Sequence, residues 1–192
     1  EDIKGSLPEL PSQKKDRYQK ELGLSEQDAQ TLSGDRNTAT YYEQCLSTYG
    51  NSPKHAKAIS NLMSSEVLRI SNEQNQSVEK LLITPEKLVE ILGLMDNGTI
   101  SGKIAKELVD EVAQSGQSPQ DLVEKKGLAQ ISNPDQLQDI VDELIKSNPQ
   151  QVEAYRAGKD KLFGFFVGQA MKASKGKANP QLLNELLKKA LG

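Results

Sequence analysis

The chain has 192 residues, 35% of them hydrophobic and only 4% aromatic, with no tryptophan and a formal net charge of −3. That composition leaves little of the β-branched and aromatic content that sheets favour and points to helices, and no apolar run approaches the length of a membrane span. A lone Cys45 forms no internal disulfide, and with the single His55 it offers no repeated metal-ligand spacing. Glu1 and Asp2 are neither an initiator methionine nor the basic and then apolar start of a signal peptide. The chain therefore reads as a fragment, at home in a reducing compartment: the cytoplasm, or an organellar matrix or stroma.

Residues 1–11, with Leu7-Pro8 and Leu10-Pro11, cannot continue a helix and are expected as an extended lead-in from something upstream. Residues 12–123 are expected as a helical domain and residues 124–192 as a small basic helical tail, with Gly127 to Pro134 as the junction. The tail is near the lower limit at which a single core is stable alone. Six of the eight prolines follow Ser, Thr or Asn: Ser52-Pro53, Thr84-Pro85, Ser118-Pro119, Asn133-Pro134, Asn148-Pro149 and Asn179-Pro180. Each pair reads as an N-cap and the first helical residue, because the side-chain oxygen accepts an orphan N–H while proline presets φ where its missing donor costs nothing. Asp121, Gln136 and Gln151 add an acid or amide at the third helical position, approximating a capping box.

Apolar spacing behind these caps agrees with helix. Ile59, Leu62, Met63, Val67 and Ile70 form one stripe; Leu88, Ile91, Leu92 and Met95 another; Ile104, Leu108, Val109 and Val112 a third; Leu137, Ile140, Val141, Leu144 and Ile145 a fourth. Glycines at 23, 34, 50, 98, 116 and 127 fall between stripes, where helices end or turn. A further tail helix is expected to start near Asp160. The fold class is all-α.

No nucleophile with a base, no paired carboxylates and no metal cage stand at convincing spacing, so no catalytic residue is assigned. Cys45, in Tyr41-Tyr42-Glu43-Gln44-Cys45-Leu46, reads as helical core, and His55, in a first helical turn, as exposed or locally capped. Gly98-Thr99-Ile100-Ser101-Gly102-Lys103 resembles a phosphate loop but is one residue short of that spacing. Ile104 stands where the magnesium-binding hydroxyl belongs, and no strand precedes it. Asp96-Asn97-Gly98 starts like a calcium loop without the later acidic ligands, and is read as a turn.

Charge is what distinguishes the tail. Residues 1–155 hold 16 basic and 25 acidic groups, whereas residues 156–192 hold 8 basic and 2 acidic. Such an asymmetry marks an anion-binding segment or a solvated lysine face. All three phenylalanines lie in Leu162-Phe163-Gly164-Phe165-Phe166-Val167-Gly168, where Gly164 and Gly168 would clear one helical face for another backbone. Phe163, Phe166, Val167, Ala170 and Met171 would fill the adjoining core. The lysine-bearing loop Lys172 to Asn179 then leads into a capped helix start, whose free N–H groups would add partial positive charge for phosphate. Arg156, Lys159 and Lys161 extend the patch if the helices bring them to the same side. Few aromatics remain free to stack on bases, so shape and phosphate recognition is expected rather than base reading.

The strings YRAGKDKLFGFFVGQAMKASKGKANP and NELLKKAL, together with NGTISGKIAKELVDEV, Gly127-Leu128-Ala129-Gln130-Ile131 and Leu7-Pro8-Glu9-Leu10-Pro11, resemble a known family. It is the C-terminal region of the GatB subunit of the tRNA-dependent aspartyl/glutamyl amidotransferases, whose tail is shared with the YqeY proteins. The resemblance implies a helical domain and a YqeY-like tail that hold tRNA. It also implies a parent subunit that uses ATP and magnesium, in a larger domain preceding the LPELP segment, to activate the carboxyl of Glu or Asp misattached to tRNA. Ammonia then comes from an amidase subunit, with a small third subunit completing a heterotrimer. No cofactor is expected in this part, and neither membrane nor DNA is an expected partner. The candidate RNA-binding residues are Arg156, Lys159, Lys161, Lys172, Lys175 and Lys177. Gly164, Gly168, Gly176 and Asn179 are expected to support the fold or allow backbone approach. The alternative is a structural arm for subunit assembly that touches no RNA.

Overall fold

The computed structural model describes residues 9–192, so the first eight residues of the expected lead-in lie outside the described residues. Glu9 and Leu10 are non-helical and Pro11 opens the first helix. The named elements of the described residues are all helices, and contacts divide the chain into two units. One comprises the described residues up to Leu94 together with Gly102–Lys125; the other comprises Met95–Ser101 and Lys126–Gly192. The turn Met95–Ser101 thus belongs with residues far along the chain, which no local pattern announces.

The first unit contains α1 (Pro11–Lys20), α2 (Glu26–Ser33), α3 (Arg36–Tyr49), α4 (Pro53–Leu62), α5 (Leu68–Glu73), α6 (Pro85–Asp96), α7 (Gly102–Ser115) and α8 (Pro119–Lys126), with α6 and α8 each running slightly past its boundary. Its core is filled by Tyr18, Leu32, Tyr42, Ile59, Met63, Ile83, Leu88, Ile91 and Leu108, all fully buried. Tyr18 and Tyr42 meet edge to face at 5.1 Å. Buried phenols need acceptors, and Tyr41 donates to the Ile83 carbonyl at 2.8 Å while Tyr42 donates to that of Ala56 at 3.2 Å. Between α4 and α5 the residues Met63–Val67 form a π turn. The wider turn carries the stripe from Ile59 to Ile70 inward and buries Glu66, whose carboxylate is met by Arg69 at 3.1 Å and Lys106 at 3.0 Å.

Side-chain caps open several of the helices. Ser52 accepts from the His55 amide at 3.2 Å and Asn133 from the Asp135 amide at 2.9 Å. Ser25 and Asp35 cap α2 and α3 in the same way. Two expected caps work differently. In the second unit, Asn148 turns its amide back to the Leu144 carbonyl at 2.8 Å, and so closes α9 (Pro134–Ser147) rather than capping α10 (Pro149–Arg156). In the first, Ser118 donates to Glu90 Oε1 at 3.1 Å, and the Gln120 amide donates to that same oxygen at 3.0 Å, so a carboxylate from α6 serves the start of α8. Among the turn glycines, Gly34 ends its helix in a right-handed conformation (φ −69°), without the left-handed turn that marks most such positions. His55 is half-buried rather than exposed, with its ring 4.5 Å from that of Tyr49.

The second unit contains α9, α10, α11 (Leu162–Ala173) and α12 (Pro180–Leu191). Its core is Leu137 and Val141 of α9, Val152 of α10, Phe166 and Ala170 of α11, Ala178, and Leu183, Leu187 and Leu191 of α12. The helix expected near Asp160 starts at Leu162. Within the expected junction, Ile131 forms an isolated parallel bridge with Ala178. The Gln130 amide donates to the Thr99 carbonyl at 2.6 Å, which brings the turn Met95–Ser101 into this unit.

Candidate functional site

Helix α11 is apolar almost all round, yet only Phe166 and Ala170 are buried, with Phe163, Val167 and Met171 packed partly against the core. At 100° per residue the opposite face carries Gly164, Gly168 and Lys172, and Lys161, in helical conformation at the N-cap, continues that stripe. The step from Lys161 to Lys172 is about 16 Å along the axis. Both glycines are exposed, and a Cβ on either would meet nothing within 4 Å. Close packing of another backbone against them, expected from their spacing, does not occur among the described residues.

The candidate cations fall into two classes. Lys159, Lys161, Lys172 and Lys175 are exposed, and their ammonium groups make no hydrogen bond or ion pair among the described residues. They stand as two pairs, one at each end of α11, with the exposed Asp160 between the first two. Arg156 and Lys177 are engaged instead. Arg156 donates Nε to the Leu191 carbonyl at 3.0 Å and Nη2 to that of Ala190 at 3.4 Å, closing the last turn of α12. Lys177 donates its ammonium to the Gly127 carbonyl.

The loop between α11 and α12 is closed by its own backbone. Lys175 (φ 54°) and Gly176 (φ 77°) are both left-handed, and the Gly176 amide returns to the Met171 carbonyl at 2.7 Å. Glycine bears such a φ at little cost, whereas lysine does so only when its surroundings hold it there. At the following helix start the amides expected to be free are engaged within the chain. Asn179 Oδ1 accepts from the Gln181 and Leu182 amides at 3.0 and 3.2 Å, and Pro180 has no N–H. The Asn179 amide donates to the Ile131 carbonyl at 3.1 Å, and the Ala178 amide to the buried Ser174 hydroxyl at 3.2 Å. The start of α12 therefore supplies partial positive charge but no unused donor.

Beside this face α9 and α11 flank an open cleft of about 530 Å³, lined by Ile140, Glu143, Leu144, Ser147, Gln169, Lys172 and Ala173. Its lining mixes apolar Ile140, Leu144 and Ala173 with polar side chains, one acid and one base among them. Elsewhere, Cys45 is buried and desolvation pushes its thiol up to about 12, so no thiolate is present at neutral pH. Among the described residues no group of three or more His, Cys, Asp or Glu stands close enough to hold a metal, and no helix is long and apolar enough to cross a membrane.

Comparison with known proteins adds a family. Residues 40–191 match the family model described as the GatB domain. Over 191 residues the chain is 50% identical to the GatB subunit of the aspartyl/glutamyl-tRNA(Asn/Gln) amidotransferase of Geotalea uraniireducens, and 46% identical to the protein of the same name from Thermoanaerobacter sp. strain X514. Over 188 residues it is 44% identical to the one from Crocosphaera subtropica. These alignments take in 98 to 100% of the chain but only 37 to 39% of each relative, so the chain spans well under half the length of the proteins it matches.

Proposed function

The chain belongs to the GatB domain family, and from that premise we propose that it is the tRNA-holding, non-catalytic part of the GatB subunit of an aspartyl/glutamyl-tRNA amidotransferase. The observation that carries this reading is the pairing of free ammonium groups at the two ends of α11, Lys159 and Lys161 at one and Lys172 and Lys175 at the other. Lysine on a flexible stem is a point charge suited to phosphate, and phosphate contacts position a nucleic acid without reading its bases. The parent complex would activate the misattached Glu or Asp with ATP and magnesium in a domain beyond this chain. An amidase subunit would deliver ammonia, with a small third subunit in the assembly.

Titration of the chain with tRNA at two salt concentrations tests the reading, with an unrelated folded RNA as control. Each phosphate contact contributes about 0.7–0.9 to the slope of log K against log salt, so Lys172→Met with Lys175→Met should flatten it by about 1.5. Charge reversal at the same two positions should remove most of the affinity with helicity unchanged. Wild-type binding by the reversed variant would reject the phosphate role.

A second reading, a protein-docking arm, draws on the cleft between α9 and α11, whose mixed lining of apolar residues with one acid and one base suits a protein surface better than a polyanion. Capture of the amidase subunit by the chain in the absence of tRNA, lost in Leu144→Asp, would favour it.

A further inference from the structure

The proposed phosphate-binding loop includes one lysine whose ammonium is already occupied. Lys177 donates to the Gly127 carbonyl, while its own carbonyl accepts the Ile131 amide at 2.7 Å. The Asn179 amide in turn donates to the Ile131 carbonyl at 3.1 Å, completing the bridge between Ile131 and Ala178. Residues 127–131 therefore lie as a strap along residues 177–179, and the Gln130 amide ties the strap to Thr99 at 2.6 Å. Ala178, which the strap pairs with, and Ser174 are buried.

This arrangement bears on Lys175, two residues earlier. A lysine in the left-handed region is strained and stays there only when its neighbours over-determine it. Here the loop leaves α11 through the bonds from Gly176 to Met171 and from Lys177 to the Ser174 carbonyl, and is fixed at its far end by the strap. With both ends held, the Lys175 ammonium points from a preset loop and has no partner among the described residues. Lys177 and Lys175 look alike in sequence, but one is tied down and the other is free.

We infer that Lys177 is a positioning residue rather than a phosphate ligand: it fastens the strap 127–131 to the loop and thereby presents Lys175 to the RNA. The inference rests on the RNA-binding reading above, but its structural half can be tested without RNA.

The variants are Lys177→Met, Lys177→Arg and Lys175→Met, made in the full chain. In the protein alone, Lys177→Met should speed amide hydrogen exchange at Ile131 and Asn179 by about tenfold, the loss expected for one hydrogen bond from a charged donor. Lys177→Arg, which keeps a cationic donor, should restore protection, and Lys175→Met should leave both amides at the wild-type rate. With tRNA, Lys177→Met should weaken binding while keeping the wild-type salt slope, because no phosphate contact is removed. Lys175→Met should reduce the slope by about 0.7–0.9. Unchanged exchange in Lys177→Met, wild-type affinity for tRNA in that variant, or a slope that falls as in Lys175→Met would each overturn the inference. A wild-type chain that bound no tRNA would instead reject the RNA-binding reading, while the exchange rates would still decide whether Lys177 holds the strap.

Discussion

The phenol of Tyr18, wholly buried in the first unit, donates to Glu43 Oε1 at 3.0 Å. The same carboxylate takes Arg17 Nη2 on that oxygen and Lys14 Nζ on the other, both at 2.6 Å. Arg17 also forks onto Glu9 at 2.7 to 3.2 Å, so one charged cluster fastens Glu9, α1 and α3 together. Burial alone would raise the Glu43 carboxyl, but the three donors outweigh it and hold the group below the usual range. The hydrogen bond from Arg17 lowers Glu9 in the same way.

A carboxylate depressed in the folded state stabilises the fold at any pH above its unfolded pKa, and that contribution is lost as pH falls through the folded value. Urea unfolding midpoints should therefore be level near neutrality and drop below about pH 4. Glu43→Gln should lower stability at neutral pH by about 1–2 kcal/mol and flatten the acid limb. An acid limb identical to wild type would show that Glu43 carries none of it.

Cys45 provides a direct check on the core. Its thiol is buried, raised to about 12 by desolvation, and lies 3.8 Å from the Pro85 carbonyl. Because the thiolate is the reactive species, a disulfide reagent at neutral pH should label the native chain no faster than the chain opens, and should label it at once in guanidinium. Prompt stoichiometric labelling of the native protein would contradict this packing.

Helices are legible in the sequence where a cap meets a proline, as at Ser52, Asn133 and Asn179, because those signals are local. Asn148 fails as a cap because two helices abut there, and the carbonyl end of α9 claims its amide. The π turn at Met63–Val67 is invisible in the sequence, since one inserted residue leaves the apolar spacing nearly intact. In the tail, the clustering of charge is legible but the fate of each charge is not. Arg156 and Lys177 meet carbonyls 34 to 50 residues away in sequence, and no local pattern encodes such partners. The bridge from Ile131 to Ala178 escapes notice for the same reason, being too short to show strand alternation.

The two exposed glycines of α11 give the last prediction. Within a helix, glycine is less favourable than alanine by about 0.5–1 kcal/mol, because the unfolded chain loses more freedom on folding. At Gly164 and Gly168 a methyl group would meet nothing in the chain, so no clash offsets the gain. Gly164→Ala and Gly168→Ala should each raise stability by about 0.5–1 kcal/mol, measured as the shift in urea midpoint. Destabilisation by either would reveal contacts that the open face excludes. The same variants interrogate function, because the stripe between Lys161 and Lys172 is where a phosphate backbone held by both would lie closest to the helix. Methyl groups there should weaken tRNA binding several-fold in a protein that has become more stable, a combination that lost folding cannot produce. Wild-type affinity in the double alanine variant would place the RNA off this face, leaving the loop lysines at the ends of α11 to hold it from the side.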